Sequence, residues 1–439
     1  MSRLLLPSSP LYGHVLPLVS VGSGLTRLGH DVTVLTGTKY RRLVEDAGLR
    51  FRPLSGAADY DDSRLESVIG EGARSRNPLA RARATIRALF VAHLREQYEC
   101  LERELRGRRG YDAVVADTAY LGTVPLTMRA SADRPVVFGI SVTPLSLRSA
   151  DTAHFGSALR PDGITYHRHR NAQIDWLLTR GPLRPVQRDL DRQLAPFGGS
   201  PGDLNYFDVA ATHDETFHLG PREFEYPRRE MPDSIRFVGP LHYPGEAEPE
   251  SAPWWHEFIG DRRGRPVVHI TQGTLDTADF TKLLVPAIQG LADADVLVVA
   301  STGRRPISTV TRHFTDGLPR NTRIAEFLPY DTLLPRCDAV VTNGGYGGVL
   351  RSLSHGVPLV VAGAGEDKPE VAARVAWSGC GLDARSGRPS PRRLRRLVSR
   401  VLTDPRYRQN AAHMSDRIAE LGDPITSIHA SVRLVDGQP

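Results

Sequence analysis

A histidine and an aspartate that each follow an apolar segment are the strongest candidates for acid–base chemistry in this chain. His14 stands in the Gly-His pair that comes shortly after the apolar residues 3–6, and Asp117 ends the apolar segment 114–117. Parallel sheets bind ligands at the carboxyl ends of their strands, where an imidazole held by a carboxylate can accept a proton from a hydroxyl. A lone histidine is more often structural, but the pair favours a general base, His14, with Asp117 as its partner.

A glycine-rich segment in the C-terminal part of the chain has the composition of an anion-binding turn. Residues 342–348 read Thr-Asn-Gly-Gly-Tyr-Gly-Gly and separate a strand pattern from a helix pattern. Glycines let the backbone approach a ligand closely, and free N–H groups at a helix N-terminus attract anions. The spacing is not that of the dinucleotide fingerprint, so a diphosphate is the expected ligand, and a tight turn without a ligand is the alternative. The candidate residues are Asn343, Gly344, Gly345, Gly347 and Gly348.

Two further loops follow predicted strands in the same part of the chain. Gly273 and Thr274 come after a strand predicted at 267–271, where a glycine and a hydroxyl suit contact with a phosphate. Asp367 and Lys368 come after a strand predicted at 359–362, where an acidic and a basic side chain can bind sugar hydroxyls. A solvated loop without a ligand is the alternative for this second pair.

Alternating strand and helix patterns predict a parallel β-sheet in each half of the chain, and so an α/β fold. In the first half, strands are predicted at 3–6, 31–35 and 50–54, and helices at 15–28 and 40–47, with Gly29 and Gly48 ending the helices. In the second half, strands are predicted at 267–271, 296–300, 339–342 and 359–362, and the last helix at 410–421.

The stretch between the two halves is rich in Pro, Glu and Gly, which is typical of a linker. We therefore expect a first domain at 1–238, a linker at 239–255, a second domain at 256–420 and a C-terminal segment at 421–439. A chain of 439 residues is also too long for one ordinary hydrophobic core.

The composition is that of a globular protein with an arginine-based positive charge. The formal net charge is +6, but the arginines are scattered and no nucleic-acid-binding motif is present, so we expect no nucleic-acid partner. Cys100, Cys337 and Cys380 lie far apart, which favours reduced thiols. The first apolar run is too short for a signal peptide and no stretch reaches transmembrane length. These features predict a cytoplasmic protein without stable membrane insertion.

Residues 74–100 form a basic amphipathic segment whose arginines alternate with apolar residues. The ordinary interpretation is a surface helix with one solvated face. Two alternatives are the wall of a substrate pocket and a helix that binds a membrane surface.

Together these residues resemble the family 1 nucleotide-sugar glycosyltransferases of the GT-B fold, and above all the actinobacterial antibiotic and macrolide glycosyltransferases. The resemblance covers most of the chain, weakly in 150–235 and strongly in 322–380. It implies two Rossmann-like parallel-sheet domains that face a central cleft. It also implies that His14 is the general base, that Asp117 orients it, and that Tyr12 and Phe90 contact the acceptor. The family's donor-binding motifs correspond here to Phe327, Leu328 and Tyr330, to Asn343–Gly348, and to Asp367 and Lys368.

Four positions depart from the family pattern. Tyr330 and Lys368 stand where glutamine is usual, Asn343 replaces a phosphate-binding histidine, and Arg351 replaces a ribose-binding glutamate. Arginine has only hydrogen-bond donors, so it cannot accept a bond from a ribose hydroxyl. The changes suit a deoxythymidine donor, which lacks the 2′-hydroxyl.

Metal-dependent members of this enzyme class use a D-x-D motif at the end of a buried strand. Asp59-Tyr60-Asp61 matches the motif, but its acidic surroundings predict an exposed stretch, and no other carboxylates converge on it. We therefore expect no metal and no cofactor.

The expected reaction is metal-independent, inverting transfer of a sugar from a UDP or dTDP donor to a hydroxyl of a small natural product, by a monomer or homodimer. Three alternatives are a membrane-surface glycosyltransferase that acts on a lipid, a sugar-nucleotide epimerase of the same fold, and an inactive homologue that serves a partner protein.

Overall fold

A computed structural model describes residues 1–107, 110–161, 167–241, 254–260, 262–274, 277–435 and 437. Its first half contains a parallel sheet of seven strands in the order β3-β2-β1-β4-β5-β6-β7. The strands are β1 (Arg3–Pro7), β2 (Asp31–Thr36), β3 (Arg50–Pro53), β4 (Ala113–Asp117), β5 (Val136–Ser141), β6 (Glu215–Leu219) and β7 (Ile235–Val238).

The second half contains a parallel sheet of six strands in the order β10-β9-β8-β11-β12-β13. The strands are β8 (Val267–Thr271), β9 (Leu297–Ser301), β10 (Thr322–Ala325), β11 (Ala339–Thr342), β12 (Leu359–Val361) and β13 (Gly381–Asp383). The strand order reverses between β1 and β4 in the first sheet and between β8 and β11 in the second. Ligands of open α/β sheets bind at such switch points. The predicted base His14 follows β1, and its partner Asp117 ends β4. The turns predicted to bind phosphate follow β8 and β11.

Helices cover the sheets, so the α/β fold with two Rossmann-like sheets is confirmed. They are α1 (Tyr12–Arg27), α2 (Arg41–Asp46), α3 (Leu65–Ile69), α4 (Pro78–Leu89), α5 (Leu94–Leu105), α6 (Val124–Thr127), α7 (His167–Arg180), α8 (Arg184–Leu194), α9 (Trp255–Gly260), α10 (Leu284–Leu291), α11 (Ser308–Thr311), α12 (Tyr330–Leu333), α13 (Tyr346–Ser354), α14 (Lys368–Trp377), α15 (Pro391–Thr403), α16 (Pro405–Glu420) and α17 (Pro424–Val435). In the part of the chain that the structure describes, no helix is long and apolar enough to cross a membrane.

The first helix starts earlier than its apolar spacing predicts because a distant carboxylate holds its first turn. Asp62 accepts a hydrogen bond from the backbone N–H of Tyr12 at 2.9 Å, and α1 begins there. An anion at this end also complements the helix dipole. The predicted stop is correct, since Gly29 follows the helix with φ of +90°.

The basic segment 74–100 is not one continuous helix. Helix α4 ends at Leu89, Phe90 leaves helical geometry, and α5 begins at Leu94 after a short 3₁₀ turn at Val91–His93. Arg87 of α4 forms an ion pair with Asp189 of α8, so part of the basic face contacts protein. The break at Phe90 turns this ring toward His14.

The last helix returns to the first half. Ile425, Ile428 and Val432 of α17 belong to the same apolar cluster as Leu4 and Leu25. A Cβ on Gly24 of α1 would lie 2.7 Å from Ile425 Cγ2, so glycine is what lets the two helices pack this closely. Most of the predicted linker, residues 242–253, lies outside the described residues, and the three predicted boundaries between the four segments stay predictions.

Candidate active site

His14 and Asp117 meet at the switch point of the first sheet. His14 Nδ1 and Asp117 Oδ1 are 3.0 Å apart. The aspartate is fully buried, and its carboxylate also accepts backbone N–H bonds from Ser9 at 3.3 Å and Ala119 at 3.0 Å. These bonds fix the carboxylate, which directs Nδ1–H of the imidazole toward it. Nε2 is then the ring nitrogen that can accept a proton, and the side chain keeps 14% exposure.

Electrostatics raise the pKa of His14 above its ordinary value of 6.5. Burial is the largest single influence and lowers the pKa, but the charge of Asp117 and its hydrogen bond outweigh it. Asp367 and Glu366 of the second half raise the pKa further. Asp367 and Glu366 of the predicted sugar loop therefore lie close enough to His14 for their charges to act on its imidazole.

Aromatic side chains surround the histidine in the first half. The Phe90 ring stands edge-on to the imidazole, with centroids 6.2 Å apart, and its contact with an acceptor stays a prediction. Burial, together with the charge of Asp117, raises the pKa of the half-buried Tyr206, so this phenol also lies near the dyad. The sequence reasoning missed Tyr206 because it lies in the weakly matching stretch 150–235. Tyr12 packs partly against the core of the first half, and its acceptor contact stays a prediction.

The glycine-rich turn follows β11 and opens α13, as predicted. Gly344 has φ of +91°, and a Cβ there would lie 2.7 Å from Val361 Cγ1, so the fold itself requires this glycine. By contrast, a Cβ on Gly345 or Gly347 would meet no atom within 4 Å. Packing does not require these two glycines, and they leave open space at the N-terminus of α13.

The turns after β8, β9 and β11 converge. Asn343 Nδ2 donates to the backbone oxygen of Gln272 at 2.7 Å, which engages one of its two amide hydrogens. The same contact places Asn343 beside Gly273, which has φ of +72°. A Cβ on Gly303 would collide with the Gly273 carbonyl oxygen. The turn after β9, which contains Gly303, therefore packs directly against the turn that contains Gly273. Gly303 could have been found as a Thr-Gly pair after the strand predicted at 296–300. Thr274 is exposed beside it.

Among the residues predicted to bind the nucleotide base, Phe327 has an accessible ring and Leu328 has a side chain buried in the core. Arg304 stacks on Phe327, with its guanidinium carbon 4.3 Å from the ring centroid. Leu328 is only 1% exposed and packs in the core of the second half, so only its backbone can contact a donor.

Arg351 is 7% exposed and lies against Tyr330, with its guanidinium carbon 5.0 Å from the ring centroid. Its Nη2 donates to Asp331 Oδ1 at 3.0 Å. Asp331, on the neighbouring helix α12, thus brings a carboxylate close to Arg351, and the effect of Arg351 on the nucleotide stays a prediction.

The Asp367-Lys368 turn opens α14 beside the phosphate turn. Burial raises the pKa of Asp367 to about 6, with Glu366 adding to the shift, while Lys368 and His14 oppose it. Lys368 Nζ donates to Glu366 Oε2 at 2.8 Å. A Cβ on Gly363 would come within 2.7 Å of Lys368 Cβ and would collide with the Asn343 carbonyl, so the two turns touch.

Both aspartates of the D-x-D motif form hydrogen bonds or ion pairs with neighbouring residues of the protein. Asp59 accepts hydrogen bonds from Thr38 N at 2.7 Å and Thr38 Oγ1 at 2.6 Å, and Asp61 pairs with Lys39 at 2.9 Å. The stretch is less exposed than predicted, since Tyr60 is buried. Among the described residues, no group of three or more His, Cys, Asp or Glu could hold a metal ion.

A buried polar network joins the two halves, and the sequence reasoning missed it. Arg374 of α14 donates to Glu225 Oε2 from Nη2 at 2.8 Å and from Nε at 3.0 Å. The hydroxyl of Tyr346, the first residue of α13, lies 2.8 Å from His218 Nε2 on β6. All four side chains are nearly inaccessible to solvent. The turn predicted to bind phosphate is therefore tied directly to the first half.

Comparisons with known proteins identify the family of this chain. Residues 288–432 match a family described as the C-terminal domain of erythromycin biosynthesis protein CIII-like proteins. The 4′-demethylrebeccamycin synthase of Lentzea aerocolonigenes is 37% identical over 419 residues, which cover 95% of this chain and 96% of that protein. UDP-glycosyltransferase 2 of Phaeomoniella chlamydospora is 33% identical over 446 residues, covering 98% and 96%.

Solved structures show the same fold at lower identity. The glycosyltransferase SnogD from Streptomyces nogalater superposes with a TM-score of 0.66 at 20% identity and covers 99% of both chains. The glycosyltransferase VinC in complex with dTDP gives a TM-score of 0.63 at 19% identity, again covering 99% of both chains. By its fold and by its full-length relatives, this chain belongs to the family 1 glycosyltransferases of the GT-B fold and is a glycosyltransferase of the natural-product type.

Proposed function

We propose that this enzyme transfers a sugar, with inversion, from a nucleoside diphosphate donor to a hydroxyl of a small natural product. The observation that carries the proposal is the buried Asp117 carboxylate 3.0 Å from His14 Nδ1. The charge of Asp367, from the other half, also acts on this imidazole. An imidazole that faces both an acceptor wall and a sugar loop is placed to act as a general base.

In the proposed step, the acceptor oxygen attacks the anomeric carbon while its proton passes to His14 Nε2. The bond between the anomeric carbon and the diphosphate oxygen breaks, and the diphosphate leaves with the electron pair. Asp117 stabilises the imidazolium that forms. The N-terminus of α13, with the open space at Gly345 and Gly347, suits the charge that develops on the leaving group. No metal takes part, because helix and backbone dipoles serve this purpose.

The donor and acceptor classes follow from relatives and from the site. Relatives carry names of UDP-dependent enzymes, and a structural neighbour is a complex with dTDP, so both nucleotides are candidates. The ring of Phe327, stacked with Arg304, offers a flat surface for the base. The aromatic wall of Phe90 and Tyr206 suits an acceptor with a large apolar body. This wall also favours transfer over epimerisation, which requires no acceptor.

The test is a transfer assay with UDP-glucose or dTDP-glucose, a panel of phenolic aglycones and excess EDTA. We expect His14→Ala to lower kcat by about 10²–10⁴-fold, the usual range for general-base catalysis, with donor KM unchanged. Nucleotide-induced thermal stabilisation should persist in the variant, which shows that it is folded. Turnover of His14→Ala close to the wild-type rate would remove the base role. Loss of activity in EDTA that Mg²⁺ restores would contradict the metal-free step.

A further inference from the structure

A loop of the first half contacts α14, the helix of the second half that begins at Lys368 of the predicted sugar-binding pair. Glu370, in the first turn of α14, accepts hydrogen bonds from the backbone N–H groups of Gly156 and Ala158, both at 2.8 Å to Oε1. Glu370 is only 3% exposed. Ala158 has φ of +53°, a conformation that residues other than glycine rarely adopt. The two bonds hold the loop in this conformation against its local preference.

The Glu370 carboxylate is fixed from its other side. Arg374 Nη1 donates to Glu370 Oε2 at 2.8 Å, while the rest of the guanidinium binds Glu225 of the first half. A charge-assisted pair of this kind orients the carboxylate and leaves Oε1 for the loop. Glu370 stands two residues after Lys368 and three after Asp367, in the same short helical turn. The residue that holds the loop is thus rigidly connected to the predicted sugar-binding pair.

An apolar cluster of the first half connects this loop to the surroundings of His14. Phe155, next to Gly156, packs with Phe207 at a centroid distance of 6.2 Å. Phe155 and Phe90 both pack on one apolar cluster of the first half, and Phe90 in turn lies 6.2 Å from the His14 ring. A displacement of the loop at residue 156 would therefore be transmitted through this cluster to Phe90, beside His14.

We propose that Glu370 is a positioning residue that holds the aromatic wall of the acceptor site, formed by Phe90 and Tyr206, in a fixed position relative to the donor sugar. This inference rests on the proposed function and deepens it. When the bonds to Gly156 and Ala158 are lost, the donor site on α13 and α14 remains, but the acceptor hydroxyl is no longer held at the anomeric carbon. Water then takes its place more often, so that the donor is hydrolysed to free sugar and nucleoside diphosphate.

The test compares Glu370→Ala and Glu370→Gln with the wild type and with Glu45→Ala. Glu45 pairs with Arg41 on the surface of α2 and serves as a control for the loss of one glutamate. Each protein is assayed for both KM values and for the ratio of sugar transfer to UDP-glucose hydrolysis. UDP-induced thermal stabilisation verifies that each variant folds and binds the nucleotide.

We expect Glu370→Ala to raise acceptor KM about 10-fold or more and to shift the products toward hydrolysis, with donor KM within about twofold of the wild type. Glu370→Gln keeps an oxygen acceptor for the loop and should recover part of the transfer. Equal changes in both KM values, or an unchanged product ratio in a folded variant, would overturn the inference. A wild-type enzyme that neither transfers nor hydrolyses the sugar would overturn the proposed function and this inference with it.

Discussion

The proposed roles of His14 and Asp117 predict a defined pH dependence of the reaction. The base must be neutral to accept a proton, so kcat/KM should rise as pH increases through the pKa of His14, which is raised above 6.5. Asp117→Asn removes the main influence that raises this pKa, while burial continues to lower it. We expect the midpoint of the pH–rate profile to move to lower pH and the maximal rate to fall.

The pH profile of kcat/KM for wild type and Asp117→Asn tests this expectation. A midpoint that stays in place would show that another group titrates. Because the folded-state pKa of His14 is raised, its contribution to stability is present below pH 6.5 and is lost above the folded pKa. The gain in activity and the loss of this contribution therefore fall in the same pH range.

The nucleotide preference is a second prediction at the scale of residues. From Arg351 in the usual place of a ribose-binding glutamate, we expect dTDP-glucose to be accepted at least as well as UDP-glucose. Asp331, held by Arg351 at 3.0 Å, is the carboxylate that could instead read a 2′-hydroxyl. Competition kinetics with dTDP-glucose and UDP-glucose decides between these two expectations. A preference for UDP of about 10²-fold or more in kcat/KM would contradict the prediction and assign that role to Asp331.

Sequence reasoning worked best where residue type and local position carry the information. His14, Asp117 and Asn343–Gly348 follow strands whose apolar runs are easily recognised. Asp331 and Glu225 were missed because their partners lie elsewhere in the chain. Glu225 is 149 residues from Arg374, and no local pattern reports such a pair.

At the scale of elements, the N-terminus of α13 offers a test that separates a ligand site from a plain turn. Gly347 is inside the helix, and a Cβ there would meet no atom within 4 Å. Gly347→Ala should therefore keep or raise stability, by up to about 1 kcal/mol, since alanine favours a helix. If the space receives a diphosphate, the same methyl group should raise donor KM.

Thermal unfolding and donor kinetics on Gly347→Ala measure the two effects. Unchanged kinetics in a variant of equal or higher stability would indicate that the turn binds nothing close to this glycine. Gly344→Ala is a poor alternative, because its φ of +91° and its contact with Val361 predict misfolding.

Elements were predicted most reliably in their central residues. The strands at 31–36 and 339–342 and the stop at Gly29 follow from apolar runs and glycine chemistry. The start of α1 and the break at Phe90 were missed because tertiary contacts set them. Asp62 caps α1 from a position 50 residues away, which the periodicity of α1 does not contain.

At the scale of the whole molecule, the pair Glu225–Arg374 should contribute strongly to stability. Removing Arg374 takes away the main counter-charge of the buried Glu225, and breaking a buried ion pair typically costs about 3–5 kcal/mol. We expect Arg374→Ala to lower the free energy of unfolding by about that amount, and to weaken donor binding through the nearby turns.

Urea unfolding of Arg374→Ala measures the loss, with Arg41→Ala as the control. Arg41 pairs with Glu45 on the exposed face of α2, where such a pair contributes about 0.3–0.5 kcal/mol. Equal effects of the two substitutions would show that the network between the halves adds little to stability.

The return of α17 to the first sheet has a consequence for synthesis of the protein on the ribosome. Strand β7 ends at Val238, but the core of the first half is completed only by Ile425, Ile428 and Val432. At about 5–20 residues per second, the intervening 200 or so residues take roughly 10–40 s to translate. During this time the apolar surface of α1 that packs against α17 stays exposed. We therefore expect chaperones to bind the nascent chain, and a prematurely terminated chain to keep this hydrophobic surface exposed.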